Sequence, residues 1–312
     1  MIEIWRYALH FRTAANRASG RRRIEGFLLR EDGGHGCVQP WPEFGQPKVD
    51  EQLAALAAGR RTELLDSALR CAAVDRAWRQ AGRSLFDGLE VPPSHATITD
   101  PDRQAADAWR AGFQTFKLKC GTSAGDAACL RDLADAFPGL LLRLDFNEMP
   151  TPESFERWWC GLDDPLRQRV DFIEDPFPFD GGAWSGFSRR HGVRLAADRR
   201  SSLARAGEAA VRVVKPAWAD SEALPQGDRP QEIVFTSAMD HPLGQAWAAW
   251  VAGQAMLSMS GRVRECGLQT HHLFDPDAFT ERLGGWQSEF HPPGGTGLGF
   301  DDLLDRLEWE TP

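Results

Sequence analysis

The chain reads as an α/β protein, a modified (β/α)8 TIM-type barrel preceded by a smaller α+β unit. Three observations predict this. After about residue 93, short apolar runs alternate with helical stretches, giving about eight strands. Five strand ends fall at Lys119, Asp145, Glu174, Asp198 and Lys215, at intervals of 26, 29, 24 and 17 residues, close to the roughly 30 residues that each unit of a ~250-residue barrel takes. The rival architecture, a doubly wound open sheet, announces itself with a glycine-rich first turn, and no GxGxxG follows a strand here.

Taken in order, 2–11 and 23–29 alternate as antiparallel strands, with a polar, basic loop over 12–22. Asp32-Gly33-Gly34 marks a turn, and 36–40 suits a third strand. Apolar spacing predicts helices over 50–58 and 63–80. The rhythm changes near Pro92-Pro93, so the domains are drawn as 1–92 and 93–284, with a tail over 285–312 that is expected to pack back on the first. The second domain opens with strands over 96–99 and 115–120 flanking a helix over 102–111. Helix 123–137, strand 140–147, helix 152–160, strand 170–175 and helix 182–191 follow. Then come strand 193–198, helix 203–210, strand 211–215, an irregular crossover over 219–229, strand 232–237, helix 243–257 and a last strand over 265–270. The remainder is Pro/Gly-rich and helical from Asp301.

Composition narrows the function. With 312 residues the chain can bury a large core, and a net charge of −9 argues against nucleic-acid affinity. The opening Met-Ile-Glu-Ile-Trp-Arg has neither a basic n-region nor a long apolar h-region, so no signal peptide is expected. The most apolar helical window, 246–259, is too short to span a bilayer. Six cysteines without CxxC spacing suit a reduced, cytoplasmic protein with buried thiols. A monomer is expected.

The chemistry is concentrated at strand ends. Side chains alternate along a strand, so Lys117 and Lys119 share a face. Two ammonium groups on one face of an apolar strand repel each other unless anions meet them. Three later strands end in Asp145, Glu174 and Asp198, and a fourth in Lys215. Barrel strands bring their C-terminal ends to one face, where active sites sit. Three converging hard oxygen ligands fit Mg²⁺, which keeps its other positions for water and substrate oxygens. Such a site can bind a carboxylate and stabilise the extra charge created when a proton α to it is removed.

The set Lys117-x-Lys119, Asp145-x-Asn147, Glu174-Asp175-Pro176, Asp198 and Lys215-Pro216 resembles the enolase superfamily in its muconate-lactonizing branch. Three finer marks resemble the o-succinylbenzoate synthase family of that branch: Arg143-Leu144-Asp145-Phe146-Asn147, Thr236-Ser237-Ala238-Met239-Asp240 and Glu265-Cys266-Gly267-Leu268-Gln269-Thr270. The resemblance covers nearly the whole chain and makes the first 90 or so residues an N-terminal capping domain. It implies Mg²⁺ (or Mn²⁺) on Asp145, Glu174 and Asp198, and a small anionic carboxylate substrate. The reaction implied is loss of water from 2-succinyl-6-hydroxy-2,4-cyclohexadiene-1-carboxylate to give 2-succinylbenzoate, a step of menaquinone biosynthesis. In it Lys119 takes the α-proton, Lys215 stabilises the enediolate from across the ring, and Lys117 orients the carboxylate or tunes Lys119. Arg143, Asn147, Ser237 and Ala238 become candidates for substrate binding or support. Racemisation of N-acylamino acids or epimerisation of dipeptides uses the same stations, and a non-catalytic binding protein on this fold is the reading from another class.

Each mark has a plainer reading. A lone Lys-x-Lys is usually a solvated face, and Asp at a strand end commonly caps a helix; five stations in order are hard to produce by capping. Arg143 could pair with a carboxylate below the site, Asn147 could be a turn residue, and Ser237 could cap the next helix. His271-His272 invites a metal reading, but adjacent side chains point apart, so a turn is expected there.

Overall fold

The computed structural model describes residues 1–13, 20–199, 209–218, 231–259 and 261–312. Three antiparallel strands open the chain: β1 (Ile2–His10), β2 (Arg23–Glu31) and β3 (Gly34–Val38), in that spatial order. One face, with Ile4, Phe27, Leu29 and Val38, packs on helices α1 (Val49–Ala57) and α2 (Glu63–Gln80). Thr62 caps α2, its hydroxyl accepting from the Leu65 amide. The other face, with Tyr7, Leu9, Ile24 and Leu28, shares a core with the later helix α8 (Pro242–Ser258) and the C-terminal segment.

The second sheet is parallel and runs in sequence order through β4 (Ala96–Ile98), β5 (Thr115–Lys119), β6 (Leu141–Asp145), β7 (Val170–Glu174), β8 (Leu195–Ala197), β9 (Val211–Val214) and β10 (Glu232–Phe235). Register puts Lys119 opposite Asp145 and Asp145 opposite Glu174, so the polar residues end their strands at one level. Helices α3 (Pro101–Arg110), α4 (Ala124–Ala136), α5 (Pro152–Cys160), α6 (Asp164–Gln168) and α7 (Gly181–His191) fill the crossovers up to β8. A strand was expected over 265–270, but no ladder forms. Instead Val263 bridges Ile233, Gly267 bridges Thr236, and Cys266 bridges Ser94. This irregular eighth stave joins β10 to β4 and closes the barrel. Gly267 weakens it as a strand, having no side chain to pack on the pleat.

Two further differences have local causes. The expected C-terminal helix lasts one turn, α10 (Asp301–Leu304), because Glu310 pairs with Ile4 and draws the chain back along β1. Two short helices, α6 and α9 (Ala278–Arg282), lie where no helix was expected; Asp163 and Asp277 cap them through the Leu166 and Thr280 amides. Most of the loop over 12–22, the helix over 203–210 and the crossover over 219–229 fall outside the described residues. The tail is tied to α2 by Asp75, which accepts from the Leu298 amide at 2.6 Å and pairs with Arg79 at 2.6 Å. No described helix is long and apolar enough to cross a membrane.

Candidate active site

Strand alternation does the first positioning. Phe116 and Leu118 point into the outer layer and are buried there, which turns Lys117 and Lys119 inward. The Lys117 ammonium lies 2.6 Å from Glu174 Oε1 and 3.1 Å from Asp145 Oδ2. Lys119 donates to Asp145 Oδ2 at 2.5 Å and to Asn147 Oδ1 at 2.9 Å. Lys215, just past β9, pairs with Asp198. The three lysines and the three predicted carboxylates therefore meet at one end of the barrel, with Lys119 and Lys215 at opposite ends of the carboxylate arc.

A fourth carboxylate, Asp175, joins them; the reading of the sequence gave it no role. Its oxygens accept the amides of Asp198 and Arg199, each at 3.1 Å, which fixes the loop carrying Asp198. Oxygens of Glu174, Asp175 and Asp198 lie within 4.8 Å of one another. Four carboxylates thus face three ammonium groups.

The electrostatics follow from that imbalance. Burial raises the Glu174 carboxyl to about 8, the charge of Asp145 adding to the effect and Lys117 opposing it. Burial, with the charges of Asp198 and Asp145, pushes Asp175 up to about 7. Burial would raise Asp145 too, but Lys119 and Lys117 outweigh it and hold that carboxyl below its usual range. Asp198 is held low by Lys215 against its own burial. Lys117 is held charged against burial by Glu174 and Asp145. A divalent cation would favour the ionised forms of Glu174 and Asp175, and with all four carboxylates ionised the site would carry one positive charge, which a substrate carboxylate could then neutralise. The donor set fits Mg²⁺: hard oxygens, crowded, buried and short of positive charge. Asp145 and Asp175 also accept backbone amides, from Asn147 and from Asp198 and Arg199, and such an ion would draw its ligands from among these four carboxylates.

The pocket above is lined by Lys117, Lys119, Asn147, Asp198 and Lys215 on one side and Thr236, Ser237, Ala238, Met239 and Thr270 on the other, under Trp41, Phe44 and Trp218. The capping domain grips the second wall directly: Trp41 Nε1 donates to Ala238 O at 2.9 Å and Gln39 Nε2 to Met239 O at 2.8 Å. Ser237 does not cap α8; its hydroxyl pairs with Thr270 Oγ1 at 2.6 Å, and His241 caps that helix. Arg143 lies beneath the pocket, bound to Asp171 at 2.8 Å, His95 Nδ1 at 2.7 Å and Glu265 O at 2.8 Å. His271 and His272 form a 3-10 turn, with ring nitrogens on the carbonyls of Gly284, Gln269 and Thr97. A wider groove of about 790 Å³ lies on the capping domain, where Arg6 pairs with Asp50 at 3.0 Å and Arg23 with Glu25 at 2.6 Å.

A family model described as "O-succinylbenzoate synthase, N-terminal domain" matches residues 2–78, and one described as "Enolase C-terminal domain-like" matches residues 101–213. The o-succinylbenzoate synthase of Bdellovibrio bacteriovorus is 31% identical over 97% of this chain and 96% of its own. That of Citrobacter koseri is 28% identical over 88% and 87%. Among solved structures, the L-Ala-D/L-Glu epimerase of Bacillus subtilis has a TM-score of 0.75 at 18% identity, covering 96% of this chain and 97% of its own. The o-succinylbenzoate synthase of Thermosynechococcus elongatus, complexed with Mg in the active site, has a TM-score of 0.68 at 21% identity, covering 98% and 99%. Capped barrel and strand-end constellation define a member of the enolase superfamily. Within it, the chain belongs to the o-succinylbenzoate synthase family.

Proposed function

We propose that this protein removes water from 2-succinyl-6-hydroxy-2,4-cyclohexadiene-1-carboxylate to form 2-succinylbenzoate, the product for which its relatives are named, as a step of menaquinone biosynthesis. The observation that supports proton removal next to a carboxylate is the placing of Lys119 and Lys215 at opposite ends of one carboxylate arc. Asp145, Glu174 and Asp198 would hold Mg²⁺ (or Mn²⁺), which would supply positive charge to stabilise the substrate carboxylate as its α-proton leaves. Lys117 stands between Asp145 and Glu174 and orients that carboxylate. Lys119, steadied by Asn147, takes the α-proton. Lys215 faces the developing enediolate from the other side as a cation. The ring C–OH bond then breaks on the face where the proton left, and Lys119 returns that proton to the departing hydroxide as water. Aromatisation drives this syn elimination downhill.

Opposed lysines also suit racemisation, and epimerases share this fold. The family match favours dehydration. The test offers purified protein with Mg²⁺ the diene, and separately N-succinylamino acids in deuterium oxide. Fast, EDTA-sensitive loss of diene absorbance is expected. Deuterium entering the amino-acid α-position without diene turnover would overturn dehydration in favour of racemisation, and inactivity in both would point to a binding protein.

A further inference from the structure

We infer that Trp218 is a positioning residue for Lys215 and that the capping domain sets that position; this rests on the role given to Lys215 above. Strand ladders fix the earlier stations: Lys119 pairs in register with Asp145, and Asp145 with Glu174, inside β5, β6 and β7. Lys215 stands outside any ladder. β9 ends at Val214, whose carbonyl accepts the last rung from the Thr236 amide at 2.9 Å. A lysine side chain has many rotamers to lose, and its pair with Asp198 fixes only the tip.

The turn after β9 supplies the rest. The Trp218 amide donates to Lys215 O at 2.9 Å, which folds the indole back toward its own lysine. The Lys215 ammonium lies over that ring, 5.0 Å from its centroid, within reach of a cation–π attraction. The turn is in turn held from the capping domain. Ser67 of α2 donates to Pro216 O at 2.6 Å. Phe44, in the 3-10 turn Pro42–Phe44, meets the Trp218 ring at a centroid distance of 5.5 Å. Trp218 packs against the core under α1 and α2 as well as the core shared with α8. The Phe44 ring also takes the Arg199 guanidinium at 5.0 Å, and Arg199 directly follows Asp198. Residues of the capping domain therefore brace both partners of the Lys215–Asp198 pair. A cation meant to face growing charge gains most when its place is fixed in advance.

The test reads Lys215 directly. Besides Lys117, Lys119 and Lys215 the chain has only Lys48, which is exposed and serves as the reference. In ¹³C-lysine NMR the Lys215 ε-methylene protons should lie upfield in the wild type, shielded by the indole face. They should stay upfield in Trp218→Phe and move toward the Lys48 position in Trp218→Leu. With Mg²⁺ and the diene, kcat is expected to fall about 10- to 100-fold in Trp218→Leu, the scale of displacing a reacting group by up to ~1 Å, and to recover to within a few fold of wild type in Trp218→Phe. Ser67 lies outside the pocket lining, so Ser67→Ala should lower kcat a few fold, leave KM unchanged and shift the same resonance. In a Lys215→Ala background, Trp218→Leu should cost no more than about two-fold. An equal loss in both backgrounds, or a Lys215 resonance unmoved by a folded Trp218→Leu, would overturn the positioning role. Wild-type kcat and an unmoved resonance in Ser67→Ala would overturn the capping domain's part in it. A wild type that shows the shielded lysine but leaves the diene untouched would support the placement and overturn the dehydratase reading instead.

Discussion

Asn147, Glu148, Asp175 and Met239 all have positive φ, between 45° and 58°. They stand just past β6, β7 and β10, on the rim that carries the site. Non-glycine residues in that region cost of order 1–3 kcal/mol each and persist where surrounding contacts over-determine them. Next to Met239, Asp240 is buried with no partner on either oxygen, against Gly244 and Cys37. Burial pushes its carboxyl up to about 7. Its folded value therefore lies above the unfolded one, and the stability it contributes is full below about pH 4 and lost as pH rises through 7. Asp240→Asn should flatten that part of the profile. Thermal unfolding at pH 5 and 8 should show the wild type losing more stability than the variant, and parallel losses would refute the assignment. Lysines and acids at strand ends were legible in the sequence because period-two alternation fixes their face. Asp175 and Asp240 were not, because their surroundings come from residues far away in the chain.

Among the elements, β3 shows how tightly the capping domain is built. A Cβ on Gly36 would lie 2.1 Å from Ala68 O in α2, and one on Gly34 2.0 Å from Ala72 O. Gly36→Ala must push strand and helix apart, and overpacking of this kind costs about 1–3 kcal/mol. Urea unfolding should show a lower midpoint with an unchanged slope, whereas a wild-type midpoint would mean that the packing yields freely. Barrel strands and long helices could be read to within a residue or two because burial on one face imposes a period. The eighth stave could not, since its backbone bonds come from two separate strands and no ladder period marks it. The one-turn α10 was misread because pairing of Glu310 with Ile4 overrides local propensity.

At the scale of the whole molecule, the capping domain completes the pocket. Trp41 Nε1 and Gln39 Nε2 hold two successive carbonyls of the barrel wall. Trp41→Phe keeps a ring over the site and loses one hydrogen bond, worth about 0.5–1.5 kcal/mol. KM for the diene should rise two- to ten-fold with kcat nearly unchanged; a collapse of kcat would mean that Trp41 takes part in the chemistry. The excess of carboxylates predicts that Mg²⁺ stabilises the fold, by ~2.7 kcal/mol at a hundred times its Kd. Calorimetry should show a rise in Tm that EDTA reverses and Asp198→Asn abolishes, and an unresponsive wild type would contradict the metal assignment. The central claim is that Lys119 and Lys215 work on opposite faces of one bound carboxylate. Its most direct measurement is single-turnover loss of diene absorbance by Lys119→Ala and Lys215→Ala, each first checked for the wild-type Tm rise with Mg²⁺. Both variants should bind the ion and lose at least ~100-fold in rate, the lower bound for removing a general base. A folded, Mg²⁺-binding Lys119→Ala that turns over within a few fold of wild type would contradict the account.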